Sequence, residues 1–299
     1  MMEFFIEIKR KATHDPFKFV TVPADSDKTR DFHLNSLRTA EVQGQLVTYA
    51  NAQWSRQFRT RIFSVFICGQ MACFILWDRS AAIVTEAVNY IHNPHDFLKV
   101  LWRYNFLSAE HRGYDTTVVD PDPHEVLAAK DALQLEATNG INFIKLSIPH
   151  ASQPDAYYVA EVPAFTSRSP FGKGTRGFPA YDLQNKKVVW VKDYWRTDAP
   201  DMEKEGDIYA DLHRYNIPHI PVFERGGDIK CSALCSTSNY LKNSEPWARE
   251  TPQRERLVLY RMAIGEVGRS LMCFQSSWEF VNAVTDAVEG KNIGVFTLR

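Results

Sequence analysis

The stretch from Gly172 to Glu205 constrains the fold of this chain more than any other part of its sequence. It opens with three glycines, which let a backbone approach a ligand closely because glycine has no Cβ, at positions Gly172, Gly174 and Gly177. A polar turn at residues 184–186 then precedes the apolar run 188–191, which predicts two antiparallel strands. Lys192 closes the second strand, and from Glu205 onward apolar residues recur at helical spacing. The stretch therefore predicts a hairpin followed by a helix.

The order of these residue types indicates phosphate chemistry. A glycine loop, a strand lysine and a helix glutamate are the parts with which protein kinases hold the phosphates of ATP. The loop covers the phosphates, Lys192 binds them as a point charge, and Glu205 holds the lysine in place. A single glycine triplet also fits an ordinary hairpin turn, and Glu203 is an alternative partner for the lysine.

Several separated phrases of the sequence strongly resemble the fungal-type protein kinases, in order and from about Glu7 to about Ala287. The phrases include Asp78-Arg79-Ser80, Arg112-Gly113-Tyr114-Asp115, Phe171-Gly172, Val191-Lys192-Asp193-Tyr194-Trp195-Arg196 and Gly265-Glu266-Val267-Gly268-Arg269. The resemblance implies ATP-dependent phosphorylation of serine or threonine in proteins, with ATP and Mg as cofactors. It assigns Lys192 and Glu205 to the catalytic site. The nucleotide-binding residues that it implies are Gly172, Gly174, Gly177, Lys192 and Glu266.

The sequence also departs from the family. A kinase needs a catalytic-loop base and a metal-binding Asp, and neither His-Arg-Asp nor Asp-Phe-Gly occurs after the predicted hinge at residues 265–268. Pro179 stands where kinases commonly have valine, and proline removes a strand N–H. We therefore expect a kinase truncated at both ends, inactive by itself and binding ATP weakly or not at all. The alternative from another class is a pseudokinase or protein-interaction module.

The predicted fold class is α+β. Residues 1–120 are expected to form a family-specific domain with a mixed sheet and helices, including a helix near residues 36–54. Residues 121–140 are expected to be a linker with a helix from 124 to about 137. Residues 141–299 are expected to hold the kinase N-lobe and hinge without the C-lobe. Within them we predict a strand at 219–222 and a long exposed loop over 224–253.

The first half allows a second interpretation. Glu7 and Lys9 on a strand, followed by a helix and two strands, resemble a PD-(D/E)xK nuclease core, in which Glu7 would bind a metal and Lys9 would lie near the scissile phosphate. Such a core needs a first acidic ligand from an upstream strand, and only residues 1–5 precede this one. A degenerate, inactive nuclease-like scaffold therefore remains as a lesser alternative to an ordinary exposed strand.

Composition excludes several classes of function. The formal charge is −1, so no overall field attracts nucleic acid, and we expect neither nucleic-acid nor membrane binding. Five scattered cysteines indicate reduced thiols, hence a cytoplasmic or nuclear location. Cys231 and Cys235 lack a second pair of zinc ligands, and His92 and His95 are better explained as surface residues at a helix entry. No metal site is predicted, and the protein substrate or partner is not encoded in any recognisable motif.

Overall fold

The computed structural model describes residues 2–17, 36–135, 142–163, 169–230 and 256–297. The chain forms two compact units. The first contains Met1–Thr116, Ala164–Gly174 and Lys230–Leu257, and the second contains Thr117–Pro163, Thr175–Ile229 and Val258–Arg299. Helices and strands are mixed in both, so the expected α+β class is confirmed.

The first unit is built on a five-stranded sheet. Strands β1 (Phe5–Lys9), β2 (Ile62–Cys68), β3 (Met71–Trp77) and β4 (Ala82–Val84) follow one another in space, and β5 (Val88–Asn89) also pairs with β3. β1 runs parallel to β2, whereas β2, β3 and β4 are antiparallel. A parallel neighbour needs a crossover connection, and the chain between β1 and β2 contains the long helix α1.

Helix α1 (Leu37–Arg56) forms because its start is capped and one side is apolar. The Ser36 side chain accepts a hydrogen bond from the Thr39 backbone N–H, and the Thr39 hydroxyl accepts one from the Ser36 backbone N–H, which is a capping box. Apolar residues then recur every fourth position and are buried, at Val42, Leu46, Ala50 and Trp54. They pack on one face of the sheet and form the core of this unit.

The second helix of this unit contacts the sheet differently. Helix α2 (Pro94–Asn105) begins with proline at its first position and has Asp96 in its first turn, both of which favour a helix start. The Phe97 ring stacks on Phe74 of β3, with 5.4 Å between ring centroids. None of its twelve residues is buried.

The second unit is built on a seven-stranded sheet. Its spatial order is β11 (Phe223–Asp228), β12 (Leu257–Ile264), β10 (Lys187–Thr197), β9 (Arg176–Asp182), β8 (Ala156–Glu161), β7 (Phe143–Ile148) and β6 (Val118–Val119). The strands from β6 to β10 pair antiparallel, as do β11 and β12. Its helices are α3 (Pro123–Ala132), α4 (Glu205–Arg214) and α5 (Ser277–Thr297).

A buried charge cluster crosses this sheet. The Arg261 guanidinium is fully buried, and its Nε donates to Asp193 Oδ1 at 2.9 Å. Its Nη1 donates to the Ser147 carbonyl at 2.9 Å and to the Thr117 hydroxyl at 3.0 Å. Because buried charges are tolerated only when they are paired and hydrogen-bonded, this cluster fixes how β12, β10 and β7 pack.

Two predicted elements need correction. The strand predicted at 219–222 is wrong: the strand is β11 at Phe223–Asp228, inside the segment that was predicted as loop. β11 has the sequence FERGGD, which lacks the alternation of apolar residues typical of a strand. It forms a strand because it pairs with β12. The helix predicted from 124 to about 137 ends at Ala132, because Leu133 is its C-cap and Gln134 has φ +53°.

Candidate functional site

The predicted lysine lies in the middle of β10. Successive strand side chains point to opposite faces, so Lys192 shares its face with Trp190, Tyr194 and Arg196. In the β9–β10 ladder Gly177 lies directly opposite Lys192, and Pro179 lies opposite Trp190. This part of the second unit therefore collects a cation, an aromatic ring and a glycine on one face of the sheet.

The structure brings Lys192 and Glu205 together. Lys192 Nζ donates to both carboxylate oxygens of Glu205, Oε1 and Oε2, each at 2.7 Å. Glu205 is the first residue of α4, where the positive end of the helix dipole favours a carboxylate. The side chains are 33% and 24% exposed, so anions in solvent can reach the ammonium group. Glu203, the alternative partner, is exposed and makes no ion pair with a described residue.

Tyr194 supports this pair from within the sheet. Its ring centroid lies 4.8 Å from Lys192 Nζ, which is a favourable cation–π distance. Burial raises the pKa of Tyr194, and a hydrogen bond to the Glu205 carboxylate and the charge of that carboxylate raise it further. The phenol therefore stays protonated beside the Glu205 carboxylate, and its ring lies against the lysine.

The residue after Glu205 sets the distance between α4 and the sheet. The Gly206 backbone N–H donates to the Tyr260 hydroxyl at 3.1 Å. A Cβ on Gly206 would lie 2.5 Å from that hydroxyl oxygen and 2.7 Å from Phe223 Cζ. Since real Cβ atoms do not come this close, only glycine allows the helix to approach here. Burial raises the pKa of Tyr260 to about 12, so it remains a neutral hydroxyl.

The residue before Glu205 is anchored as well. Lys204 Nζ lies 2.8 Å from Asp228 Oδ2, and Arg196 donates to the same carboxylate from Nε at 2.7 Å and from Nη2 at 3.0 Å. Burial raises the pKa of Asp228, but the hydrogen bonds from Arg196 and Lys204 outweigh it and hold the pKa below its ordinary value. Three consecutive residues, 204 to 206, thus fasten the start of α4.

The Trp190 indole lies against Gly177. A Cβ built on Gly177 would be 2.7 Å from Trp190 Cζ2 and 3.0 Å from its Cε2 and Nε1. Glycine at this position is therefore required by the indole of the chain itself. The indole covers the side of Gly177 on which Lys192 also lies, and it reduces the backbone surface open to a ligand there.

The other two glycines of the triplet belong to the first unit. Gly172 has φ +88° and Gly174 has φ +51°, which are conformations that favour glycine. The Gly172 N–H donates to the Arg79 carbonyl at 2.8 Å, and a Cβ on Gly174 would lie 2.5 Å from Arg79 Cζ. Around Gly172, by contrast, a Cβ would meet nothing within 4 Å. The nucleotide-binding role predicted for these two glycines stays a prediction.

Arg79, from the phrase Asp78-Arg79-Ser80, has a structural position in the first unit. Its guanidinium is buried, lies 4.2 Å from the Trp54 ring centroid and donates to the Pro170 carbonyl at 3.2 Å. The arginine therefore joins α1 to the segment that carries Gly172 and Gly174 within the first unit.

Two further sequence features have clear positions. Glu266 follows β12, and its Oε2 accepts a hydrogen bond from the Val222 N–H at 2.7 Å, just before β11 begins. Pro179 lies in β9 where that strand pairs with β10, whereas pairing with β8 is confined to Asp182 and Tyr181. Among the described residues, Pro179 thus lies in a part of β9 that pairs with β10 alone, and such edge-like positions are where sheets tolerate proline.

Neither metal nor nuclease chemistry gains support from the geometry. Glu7 and Lys9 form an ion pair of 2.5 Å on β1, and Lys9 also donates to Gln45 of α1 at 2.7 Å. Across the described ranges, no group of three or more His, Cys, Asp or Glu residues is placed to hold a metal ion. Cys231 and Cys235 lie outside the described residues.

Some of the residues around the Lys192–Glu205 pair could be predicted from the sequence. Trp190 and Tyr194 lie two positions on either side of Lys192, so strand periodicity places all three on one face. Gly206 and Asp228 had no such signal, because their partners, Tyr260 and Arg196, are distant in sequence.

A strand lysine bonded to a glutamate on the neighbouring helix, on an antiparallel sheet, is the arrangement that protein kinases use to hold ATP phosphates. The family described as fungal protein kinase matches residues 6–293. The chain therefore belongs to the fungal protein kinase family, as the resemblance of its phrases predicted. No curated protein and no solved structure matches it. Among the helices of the described ranges, none is long and apolar enough to cross a membrane.

Proposed function

We propose that the second unit binds ATP through Lys192, with Glu205 holding the lysine in position. The observation that carries the proposal is the pair of 2.7 Å hydrogen bonds from Lys192 Nζ to Glu205. A protein kinase requires this ion pair to be in place before phosphoryl transfer. In this chain the ion pair is in place.

The residues present fit a phosphate group in part. An ammonium group has three N–H donors, of which Glu205 takes two, so Lys192 retains one for a phosphate oxygen. ATP, when bound, would supply the transferable phosphoryl group. Glu205 and the Tyr194 ring would hold the lysine in position, and the Trp190 indole beside Gly177 would restrict how closely the phosphates approach the backbone there. We therefore expect modest affinity.

We propose further that these 299 residues do not transfer a phosphoryl group by themselves. Phosphoryl transfer depends on metal ions bound by carboxylate and amide side chains and on a base beside the substrate hydroxyl. Residues 265–299 contain neither a His-Arg-Asp nor an Asp-Phe-Gly motif. Serine/threonine phosphorylation remains the function of the family, and ATP binding is the part of it that we assign to this chain.

Calorimetry with ATP, with and without Mg, tests the binding proposal. We expect Lys192→Ala to abolish binding and Glu205→Gln to weaken it, since the lysine loses its charged partner. Lys187→Ala is the matched control, because Lys187 lies on the same strand and pairs with Glu224 at 2.7 Å, away from the site. Equal affinity in Lys192→Ala and the unmodified chain would refute the proposal.

A radiometric assay with Mg-ATP and a generic protein substrate tests the second proposal. We expect no incorporation above background. Incorporation that disappears in Lys192→Ala but persists in Lys187→Ala would show that the chain is a complete catalyst after all.

A specific observation favours a second candidate, a pseudokinase that acts by protein interaction. The glycines that would approach the phosphates are already packed against side chains of this chain, Gly177 against Trp190 and Gly174 against Arg79. If millimolar ATP leaves both the melting temperature and the calorimetric signal unchanged, this candidate replaces the first. A defined partner that co-purifies in fixed stoichiometry would then be the supporting result.

A further inference from the structure

A cavity of about 370 Å³ lies in the first unit between α2 and the strands β2, β3 and β4. We propose that it binds a single-chain anionic amphiphile, of the chemical class of a medium-chain fatty acid, with the acyl chain in the cavity and the carboxylate on Arg103. The proposal concerns the first unit alone and does not depend on ATP binding by the second.

The cavity arises from unequal packing on the two faces of the sheet. On one face α1 buries six side chains, whereas on the other α2 buries none of its residues. Protein interiors are normally close-packed, with few voids larger than a water molecule. The space left by α2 is instead in the range of small-molecule pockets, which begins at about 300 Å³.

The lining of the cavity suits an alkyl chain. Strands β2 to β4 and helix α2 supply nearly all of it with aliphatic and aromatic side chains. The apolar residues of the lining are Phe4, Phe63, Val65, Phe74, Ile75, Leu76, Ile83, Val100, Leu101 and Leu107. Several of them are only partly buried, so they expose apolar surface that an acyl chain would remove from water.

The polar groups of the lining are already satisfied. The Ser64 hydroxyl accepts a hydrogen bond from Trp77 Nε1 at 2.8 Å, and Thr85 Oγ1 accepts one from the Phe74 N–H and donates to the Glu86 carbonyl. The Tyr104 hydroxyl donates to Glu3 at 3.2 Å, and burial raises its pKa to about 12. Because the three hydroxyl groups already have hydrogen-bond partners, none of them requires a polar group on the ligand.

Arg103 is different. It carries the only formal charge among the described lining residues, and its side chain is exposed. In the described part of the chain, no acidic side chain forms an ion pair with it. A guanidinium with free donors at the edge of an apolar cavity favours a ligand with an anionic head and an apolar tail. The reason is that guanidinium and carboxylate groups form bidentate hydrogen-bonded pairs.

Calorimetry on the full chain with decanoate, hexanoate and decanol, below their aggregation limits, tests the proposal. We expect one decanoate per chain and an affinity that rises about fourfold per added methylene from hexanoate to decanoate. Arg103→Gln should weaken decanoate about tenfold and leave decanol unchanged, as expected for the loss of one charge-assisted contact. Lys99→Gln, an exposed cation on the same helix that does not line the cavity, should change neither.

Leu101→Trp, which fills the cavity, should abolish binding of both ligands. If this variant fails to melt cooperatively, Val100→Trp takes its place, because Val100 lines the cavity and is 41% exposed. Decanoate binding that survives Arg103→Gln unchanged, or that persists in a folded cavity-filling variant, would overturn the proposal. Absence of any decanoate binding to the unmodified chain would overturn it equally.

Discussion

Lys192 and Glu205 form two hydrogen bonds of 2.7 Å across thirteen positions of sequence. The helix that carries the glutamate is fastened at three successive residues, because Lys204 pairs with Asp228 and the Gly206 N–H bonds to Tyr260. The geometry of the lysine–glutamate pair is therefore a property of the whole start of α4. Substitutions at the residues that anchor the start of α4 should therefore alter the geometry of the Lys192–Glu205 pair.

Gly206→Ala should lower stability by about 1–3 kcal/mol, the usual cost of forcing extra volume into a packed site. The new methyl group would meet the Tyr260 hydroxyl and Phe223, so the start of α4 must move away from the sheet. We expect ATP affinity to fall with it. Urea unfolding and calorimetry measure the two effects.

Gly44→Ala is the control for that substitution. Gly44 lies inside α1, and a Cβ there would meet nothing within 4 Å. Alanine is the better helix former, so this variant should be about 0.5–1 kcal/mol more stable. An equally large loss in both variants would mean that close contact at Gly206 is not the cause.

Asp228→Asn should remove a stabilisation that depends on pH. Because hydrogen bonds from Arg196 and Lys204 hold the pKa of Asp228 below 3.8 in the folded state, its contribution is full above that value. It is lost as pH falls through the lower, folded-state pKa. We expect Asp228→Asn to cost about 1–3 kcal/mol at pH 7 and progressively less in strong acid.

Free energies of unfolding measured for both proteins from neutral to acid pH test this. Asp211→Asn serves as the comparison, since Asp211 is a more exposed carboxylate than Asp228 and pairs within α4, with Arg214 at 2.8 Å. A difference between Asp228→Asn and the unmodified chain that stays constant with pH would contradict the assigned role.

Trp190→Ala should strengthen ATP binding about tenfold, equivalent to 1.4 kcal/mol. Removal of the indole opens the space beside Gly177, opposite Lys192, for a phosphate. Calorimetry on this variant and on Trp102→Ala, whose indole is 62% exposed on α2, measures the effect. Weaker ATP binding in Trp190→Ala would instead indicate that the indole stacks on the base.

Asp193→Ala should destabilise the second unit by about 3–5 kcal/mol, because it leaves a buried guanidinium without its carboxylate. Arg261 is fully buried and donates to Asp193 at 2.9 Å. Asp198→Ala removes a more exposed carboxylate, one that pairs with Arg196 at 3.0 Å, and should cost at most about 1 kcal/mol. Equal midpoints of thermal unfolding for the two variants would contradict the prediction.

The strands and the helix around the site could be predicted wherever the sequence pattern that specifies them is local. Alternating residues on β9 and β10, and the 3.6-residue periodicity from Glu205, each show within ten positions. β11 was not predicted because a strand with these glycines and charges is specified only by its partner β12, whose paired residues run from Tyr260 opposite Asp228 to Ile264 opposite Phe223. The same holds for Gly174, whose close neighbour Arg79 is ninety-five positions upstream.

The parallel pairing of β1 with β2 has a consequence for how the first unit assembles. β2 and β3 are joined by a tight turn at Gly69, which has φ +61°, so this hairpin closes a very short loop. Phe5 meets Ser64 only after the intervening chain has closed a loop of more than fifty residues, which costs more entropy. Among the strands of the described residues, β1 also lies at the sheet edge, with β2 as its one neighbour. β1 is therefore synthesised well before its partner and stays unpaired until β2 has been made.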